Sequence, residues 1–256
     1  MILFVFEGDE RDEREPRLYR TLERLYFPKQ NDNIICSFGN NIYDLYNELQ
    51  EYDGDGDIVA LMRERLADRG DATLDGIRNS DISEIFLFFD YDFQNSQLSL
   101  EEINRRVEEM LALFDDETDN GKLYINYPMI ESIRYTQELP DDAYAGYTIG
   151  REACKDFKRL AREFSAYDSL DYLLFKDGET PSKDKYLQVK DNWEYLRTMN
   201  VCKANLLTTG LYTMPREKSD IGQLAIFSNQ VTKYVKPNES VSILNSFPIF
   251  IYEYMK

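Results

Sequence analysis

Apolar residues fall along this chain in short dense runs separated by longer amphipathic stretches. Ile2 to Phe6 is an unbroken run ending in Glu7-Gly8, and Ile34 to Phe38 is a second, ending in Gly39-Asn40-Asn41. Runs of this length bounded by turn residues predict buried strands. Ser83 to Phe89 gives the strongest one, passing straight into Asp90-Tyr91-Asp92, and Leu123 to Tyr127 gives another, closed by Pro128. The stretches between them have helical spacing. After the charged segment Asp9 to Arg14, Pro16 suits a first helical turn and Leu18, Leu22 and Leu25 recur at helical intervals toward Phe27. Ile42 to Tyr52 repeats the pattern. Ser99-Leu100-Glu101-Glu102 has the form of a capping box ahead of Ile103, Val107, Met110, Leu111 and Phe114. Met129, Ile130 and Ile133 predict one more helix. Strands alternating with helices indicate the α/β class, with a mostly parallel sheet flanked by helices.

Beyond Tyr135 the periodicity is helical. Residues 151–175 and 184–209 read as helices, the first with an apolar stripe of Cys154, Phe157, Leu160 and Phe164, and a Gly-Glu-Thr-Pro-Ser loop at 178–182 lies between them. The apolar tail Val241 to Met255, interrupted by Pro248, predicts a segment that docks on the core. The division is a catalytic domain over 1–135 and a mainly helical region over 136–256 that completes the fold or binds a partner. No repeat or low-complexity tract is present.

Composition narrows the chemistry. The 256 residues are 43% apolar and 30% charged, a globular profile long enough for a substantial core. No apolar run approaches the roughly 20 residues that span a bilayer, and the N-terminus lacks the basic start of a signal peptide. Three widely spaced cysteines, Cys36, Cys154 and Cys202, suggest a reducing cytoplasm and no disulfide framework. The chain has no histidine. That excludes Ser-His-Asp and Cys-His hydrolysis and His-ligated metal sites, leaving carboxylates, Lys, Tyr, Cys or metal-bound water for acid–base work.

Charge is uneven. Residues 1–135 carry 14 basic and 31 acidic side chains, whereas residues 136–256 carry 16 and 17, within a chain of net charge −18. Such a balance argues against nonspecific nucleic-acid binding by counterion release. It permits a metal-dependent enzyme, because bound cations invert the local charge. In open α/β sheets ligands sit at the carboxyl ends of strands. Two predicted strands end there in acids, Glu7 on the first and Asp90 with Asp92 on the third. Asp90 and Asp92, leaving a strand at alternate positions, are placed to share one hard cation with oxygen ligands, Mg²⁺ or Mn²⁺.

Glu-Gly after the first strand, the turn Ser37-Phe38-Gly39-Asn40-Asn41 after the second and Asp-x-Asp after the third resemble the order of a Toprim domain. That domain occurs in topoisomerases, primases, OLD-family nucleases and RloB-like proteins of bacterial phage-defence loci. Glu7-Gly8 followed by Glu15-Pro16-Arg17-Leu18-Tyr19 is similar to the RloB-like entry motif. Asn126-Tyr127-Pro128-Met129-Ile130-Glu131 is similar to that group's Asn-Pro…Glu segment. The resemblance covers residues 1 to about 135. It implies a Toprim-like Rossmannoid fold, with Glu7, Asp90 and Asp92 as catalytic acids and metal ligands and Glu131 and Glu15 as supporting acids. It also implies Mg²⁺- or Mn²⁺-dependent cleavage of DNA or RNA phosphodiesters in antiviral, abortive-infection defence. Glu7 would serve as metal ligand or general base, and Gly8 would leave room for backbone close to a phosphate. No Gly-x-x-x-x-Gly-Lys-Ser/Thr motif is present, so any ATPase would be a separate partner.

The chain departs from the resemblance in one respect. OLD-type nucleases also use a basic residue near the phosphate; Lys183 and Lys185 are candidates by loop position alone, and solvated surface lysines are the simpler reading. Rival chemistries are an Asp-x-Asp phosphatase, disfavoured by Gln94, and an Asp-x-Asp glycosyltransferase, which leaves Glu7 idle. Asp53 to Asp57 with Glu64 imitates a calcium loop but has Ile58 where that loop needs Gly, so an acidic connector is expected. A non-catalytic acidic adaptor or nucleic-acid mimic needs dispersed surface acids, not acids aligned at strand ends.

Overall fold

The structure, a computed structural model, describes residues 1–8, 14–27, 33–51, 57–165, 172–174 and 180–254. Strand β1 (Ile2–Phe6) is followed by helix α1 (Arg14–Tyr26), β2 (Asn33–Ser37), α2 (Ile42–Glu51) and α3 (Ile58–Asp68). Strand β3 (Glu84–Asp90) leads to α4 (Leu100–Leu113), the short β4 (Asp115–Asp116) and β5 (Gly121–Asn126). The first sheet has the order β2-β1-β3-β5-β4, parallel except for β4. This is the α/β architecture expected from the alternation of apolar runs and amphipathic stretches. The predicted helix over Met129 to Ile133 is a 3₁₀ turn, Ile130–Arg134.

The strands are apolar throughout because both faces of a parallel sheet are covered. On one face Phe4, Phe6, Phe86 and Phe88 meet Tyr19 of α1 and the aromatic rings of the chain's C-terminal helix. On the other face Phe89 packs edge-on against Phe38 at 5.7 Å. At the start of α4, Ser99 caps as expected, its Oγ accepting from the Glu102 amide at 3.2 Å. The reciprocal half of the box is replaced, because Arg105 and Arg106 take the Glu102 carboxylate.

After the 3₁₀ turn come β6 (Thr148–Gly150), α5 (Arg151–Cys154), α6 (Phe157–Phe164) and the long α7 (Lys183–Thr209). Helix α8 (Gln223–Gln230) runs through a π turn, Val231–Val235, into α9 (Lys236–Asn238), then β7 (Ser240–Ser242) and α10 (Ser246–Tyr254). Strands β6 and β7 pair antiparallel in a separate two-stranded sheet that the helical reading of this half did not anticipate. The tail docks as predicted: Phe247 and Phe250 are fully buried against the sheet. Tyr127 and Leu244 exchange backbone hydrogen bonds of 2.8 and 3.0 Å, joining the end of β5 to this tail. One continuous apolar core therefore includes residues from both halves of the chain.

The three cysteines are buried and free. Among the described residues, no helix is long and apolar enough to cross a membrane. Most of the calcium-like loop, residues 53–56, lies outside the described residues, as do residues 9–13 of the charged segment and 178–179 of the Gly-Glu-Thr-Pro-Ser loop. Asp57 caps α3, its carboxylate accepting from the Ala60 amide at 2.9 Å.

Candidate metal centre

The strand order creates a topological switch point between β1 and β3. From β1 the chain crosses to β2 on one side and then returns past β1 to β3 on the other. At such a point the connections diverge and leave a crevice at the carboxyl ends of the two strands. Glu7 and Asp90 sit at that crevice. The Glu7 amide continues the ladder by donating to the Phe88 carbonyl at 3.1 Å, and its carbonyl accepts from the Gly39 amide at 3.0 Å. Gly39 has φ of +80°, and a Cβ there would lie 2.6 Å from the Arg69 guanidinium. That guanidinium and Arg65 both donate to the Phe38 carbonyl, so the turn after β2 is clamped beneath Glu7.

Asp92 is held by a different device. Its backbone is left-handed, φ 46°, which Asp tolerates better than most residues. Gln94 donates its amide to the Asp92 carboxylate at 2.6 Å. Arg151 fixes the following loop by donating to the carbonyls of Phe93 and Asn95 at 2.8 and 2.7 Å.

Glu7, Asp90 and Asp92 each present a carboxylate oxygen within 4.8 Å of the others. The Asp90 amide donates to the Glu7 carboxylate at 2.6 Å. Asn126, at the end of β5, donates to the Asp90 carboxylate at 3.1 Å. The Asn126 carbonyl oxygen in turn accepts from the amide and hydroxyl of Ser246 at 3.1 and 2.8 Å. The C-terminal helix thus orients the asparagine that orients the aspartate, a link invisible in the linear sequence.

Glu131 and Glu15 are buried beside this trio. A Cβ on Gly8 would stand 2.6 Å from a Glu15 carboxylate oxygen, so the space at Gly8 is filled by Glu15 and is not left for a phosphate. Burial pushes the Glu7 carboxyl well above its ordinary range, and the charges of Asp90, Asp92 and Glu15 push it further. Burial does the same to Asp90, reinforced by Asp92, Glu131 and Glu15 and opposed by the Asn126 hydrogen bond. Asp92 is raised by burial, while Gln94 and Lys158 pull the other way. Such crowding of like charge in a desolvated crevice is costly unless a cation or protons relieve it. An oxygen-only donor set fits a hard divalent ion such as Mg²⁺ or Mn²⁺.

The cleft over the trio has a volume of about 390 Å³, and its far wall carries Lys155, Lys158 and Arg159 from the α5–α6 segment. Lys155 is matched by Glu152 at 2.8 Å and Arg159 by Asp156 and Glu163. Lys158 faces the acids, its ammonium 3.9 Å from Glu131. Lys183 and Lys185 lie at the start of α7 and do not line this cleft. The basic wall lies on the α5–α6 helical segment and not in a loop. The signal was present in Lys155, Lys158, Arg159 and Arg162, a local run of cations in an acidic chain, on positions that alternate with the apolar stripe. Comparison of the chain with family models, curated proteins and solved structures gives no match, so the functional argument rests on this site.

Proposed function

We propose that this chain is a metal-dependent phosphodiesterase acting on DNA or RNA, of the Toprim type that its motif order resembles. The observation that carries the reading is the meeting of Glu7, Asp90 and Asp92 at the switch point of a parallel sheet, facing Lys158 across a cleft. Glu7, Asp90 and Asp92 would hold the ion. A divalent cation bound there would neutralise phosphate charge and make water a stronger nucleophile near neutral pH.

The chain's own groups do the rest. Asn126 and the Asp90 amide fix the rotamers of Asp90 and Glu7, so the ligands need little reorganisation. Lys158 supplies a mobile positive charge suited to a phosphate oxygen. With no histidine in the chain, proton transfer falls to a carboxylate, Lys, Tyr, Cys or water on the cation, and Glu7 would serve as ligand or as general base. A nucleic-acid mimic would spread its acids over the surface, and these are gathered in a crevice. A role in phage defence, beside a separate ATPase, follows from the resemblance only.

Calorimetric titration of Mn²⁺ into the wild type and an Asp90→Asn/Asp92→Asn double variant tests this reading, with nuclease assays on the same samples using single- and double-stranded DNA and RNA. Binding and cleavage lost together in the variant is the expected result. Equal Mn²⁺ binding by both proteins refutes the site, and binding without cleavage of any substrate refutes the nuclease activity of the isolated chain.

A further inference from the structure

The turn after β3 sends alternate side chains to opposite sides. Tyr91 and Phe93 are fully buried and stack on each other, ring centroids 5.4 Å apart. Asp92 and Gln94 instead line the acid cleft. The backbone fixes both there. The Asn95 amide donates to the Asp92 carbonyl at 2.9 Å, and Arg151 holds the carbonyls of Phe93 and Asn95. Gln94 is thus a rigidly placed, uncharged member of a site otherwise described by its charges.

Two side-chain amides serve the trio. Asn126 donates to Asp90 at 3.1 Å and Gln94 to Asp92 at 2.6 Å. Because a carboxylate accepts, each amide must turn its NH₂ to the acid, which leaves its carbonyl oxygen to find a donor elsewhere. For Asn126 the fold supplies two, the amide and hydroxyl of Ser246. For Gln94 it supplies none: Oε1 is buried and has no hydrogen-bond partner among the described residues. A buried acceptor without a donor is destabilising, and folded proteins keep few of them outside sites that take up water or an ion. The cations on the far wall have carboxylates of their own, Lys155 with Glu152, Lys158 with Glu131, and Arg159 with Asp156 and Glu163.

The difference between the two amides follows their positions: Asn126 works from behind Asp90, whereas Gln94 is in the cleft. Amide carbonyl oxygens are ordinary ligands of hard divalent cations, directly or through a bound water. A neutral oxygen also adds a donor without adding a fourth negative charge to three carboxylates already within 4.8 Å of one another. We propose that Gln94 is the fourth oxygen donor of the metal centre, its Oε1 serving the cation or one of the cation's waters while its NH₂ fixes Asp92. This rests on the metal-binding part of the reading above and not on nucleic acid as the substrate. Glutamine suits the position because it does both jobs. A glutamate there would supply the oxygen and lose the donor to Asp92, and a leucine would supply neither.

The test is calorimetric titration of Mn²⁺ into the full chain, comparing wild type, Gln94→Leu, Gln94→Glu and Gln94→Leu/Asn95→Asp. Gln94→Leu should weaken binding about tenfold or more, the usual effect of losing a donor around a metal. Gln94→Glu should recover the wild-type affinity or exceed it, because the oxygen is restored. The double variant places a charge one residue along with no oxygen at 94, and it should stay as weak as Gln94→Leu. Asp at 95 keeps the acceptor that Asn95 offers the Gln97 amide, so the turn is preserved. Unchanged affinity in Gln94→Leu overturns the assignment. So does failure of Gln94→Glu to recover it, which would leave Gln94 as a holder of Asp92 alone, and so does recovery in the double variant, which would reduce the effect to charge. Broadening of the bound Mn²⁺ resonance in oxygen-17 water counts the ion's water ligands. One more water in Gln94→Leu than in wild type identifies direct ligation and an equal count identifies a bridging water, and both agree with the assignment. No Mn²⁺ binding by the wild type overturns the metal centre and this inference together. Binding that depends on Gln94 without cleavage of any nucleic acid refutes the nuclease reading alone, whereas binding and cleavage both indifferent to Gln94 refute this inference alone.

Discussion

Asp90→Asn probes the electrostatic cost of the acid trio directly. The substitution keeps the shape, the backbone donor to Glu7 and an oxygen able to accept from Asn126, while removing one negative charge. Carboxylate oxygens of the three acids lie within 4.8 Å. At an effective dielectric constant of about 20, two unit charges at that separation repel by about 3.5 kcal/mol. Asp90 has two such neighbours, but proton uptake by the trio relieves part of the repulsion, so the net gain should be about 1–3 kcal/mol. For a chain of this length that raises the melting temperature by roughly 3–10 °C. The pH dependence has a definite sign. Carboxyls raised in the folded state bind protons more tightly there than in the unfolded chain. The associated stability is complete below the ordinary carboxylate range, about pH 4, and is lost as pH rises through the elevated native values. The variant's advantage should therefore be small in acid and grow toward neutral pH. Differential scanning fluorimetry of both proteins in EDTA from pH 5 to 8 measures it. Adding Mn²⁺ should raise the melting temperature of the wild type and leave the variant nearly unchanged. A variant that melts lower than wild type at pH 7, or by a pH-independent margin, refutes the account of the trio as mutually repelling charges.

Lys158→Ala should reduce metal-dependent cleavage by about ten- to a hundredfold with an unchanged melting temperature, because its side chain is 60% exposed and its expected contact is with substrate. Lys203→Met should destabilise by about 1–3 kcal/mol in chemical denaturation, since the buried amino group donates at 2.8 Å to both the Tyr144 and Tyr147 carbonyls and the substitution leaves them unsatisfied. Burial lowers the Lys203 ammonium to about 7, so its contribution to stability should fall as pH drops from 10 toward 7, a slope that the methionine variant loses. Gly121→Ala should cost about 1–3 kcal/mol by thermal melting: its φ is +119°, and the added Cβ would lie 2.8 Å from Leu87.

The central sheet was legible because burial on both faces writes itself as uninterrupted apolar runs. Ile2–Phe6 carries its boundaries in the sequence, and β3 differs from its run by one residue at each end. Strands β6 and β7, three residues each, lacked such a run, and their pairing depends on a contact between positions about ninety residues apart. Asp90 and Asp92 were visible as a spacing, and Glu7 as a strand end. Their convergence was not, because it depends on β1 and β3 being neighbours in the sheet. The role of Ser246 in orienting Asn126 was hidden for the same reason. Local patterns report which face of an element is buried; they do not report which distant element covers it.

The basic wall was missed for a further reason that bears on the chemistry. Lys155, Lys158, Arg159 and Arg162 look like ordinary solvent-facing helix positions, since the apolar stripe of Cys154, Phe157 and Phe164 explains the segment as an amphipathic helix. What gives them meaning is what α6 packs against. The 3₁₀ turn bearing Glu131 follows β5 through Tyr127-Pro128, so the end of the sheet and the cationic face of α6 meet at a single carboxylate. A chain with no histidine has few ways to place positive charge beside three acids without neutralising them outright. Keeping Lys158 at 3.9 Å from Glu131, instead of in direct contact with Asp90 or Asp92, leaves the trio available to a cation and the ammonium available to a phosphate. Glu131→Gln separates these roles. If Glu131 restrains Lys158, the substitution should free the ammonium to pair with Asp92, weakening Mn²⁺ affinity about tenfold while leaving the fold intact. Calorimetry on this variant and on a Glu131→Gln/Lys158→Met double variant decides the point, because removing the lysine should restore affinity. Affinity that stays low in the double variant would place Glu131 among the metal's own supporting acids.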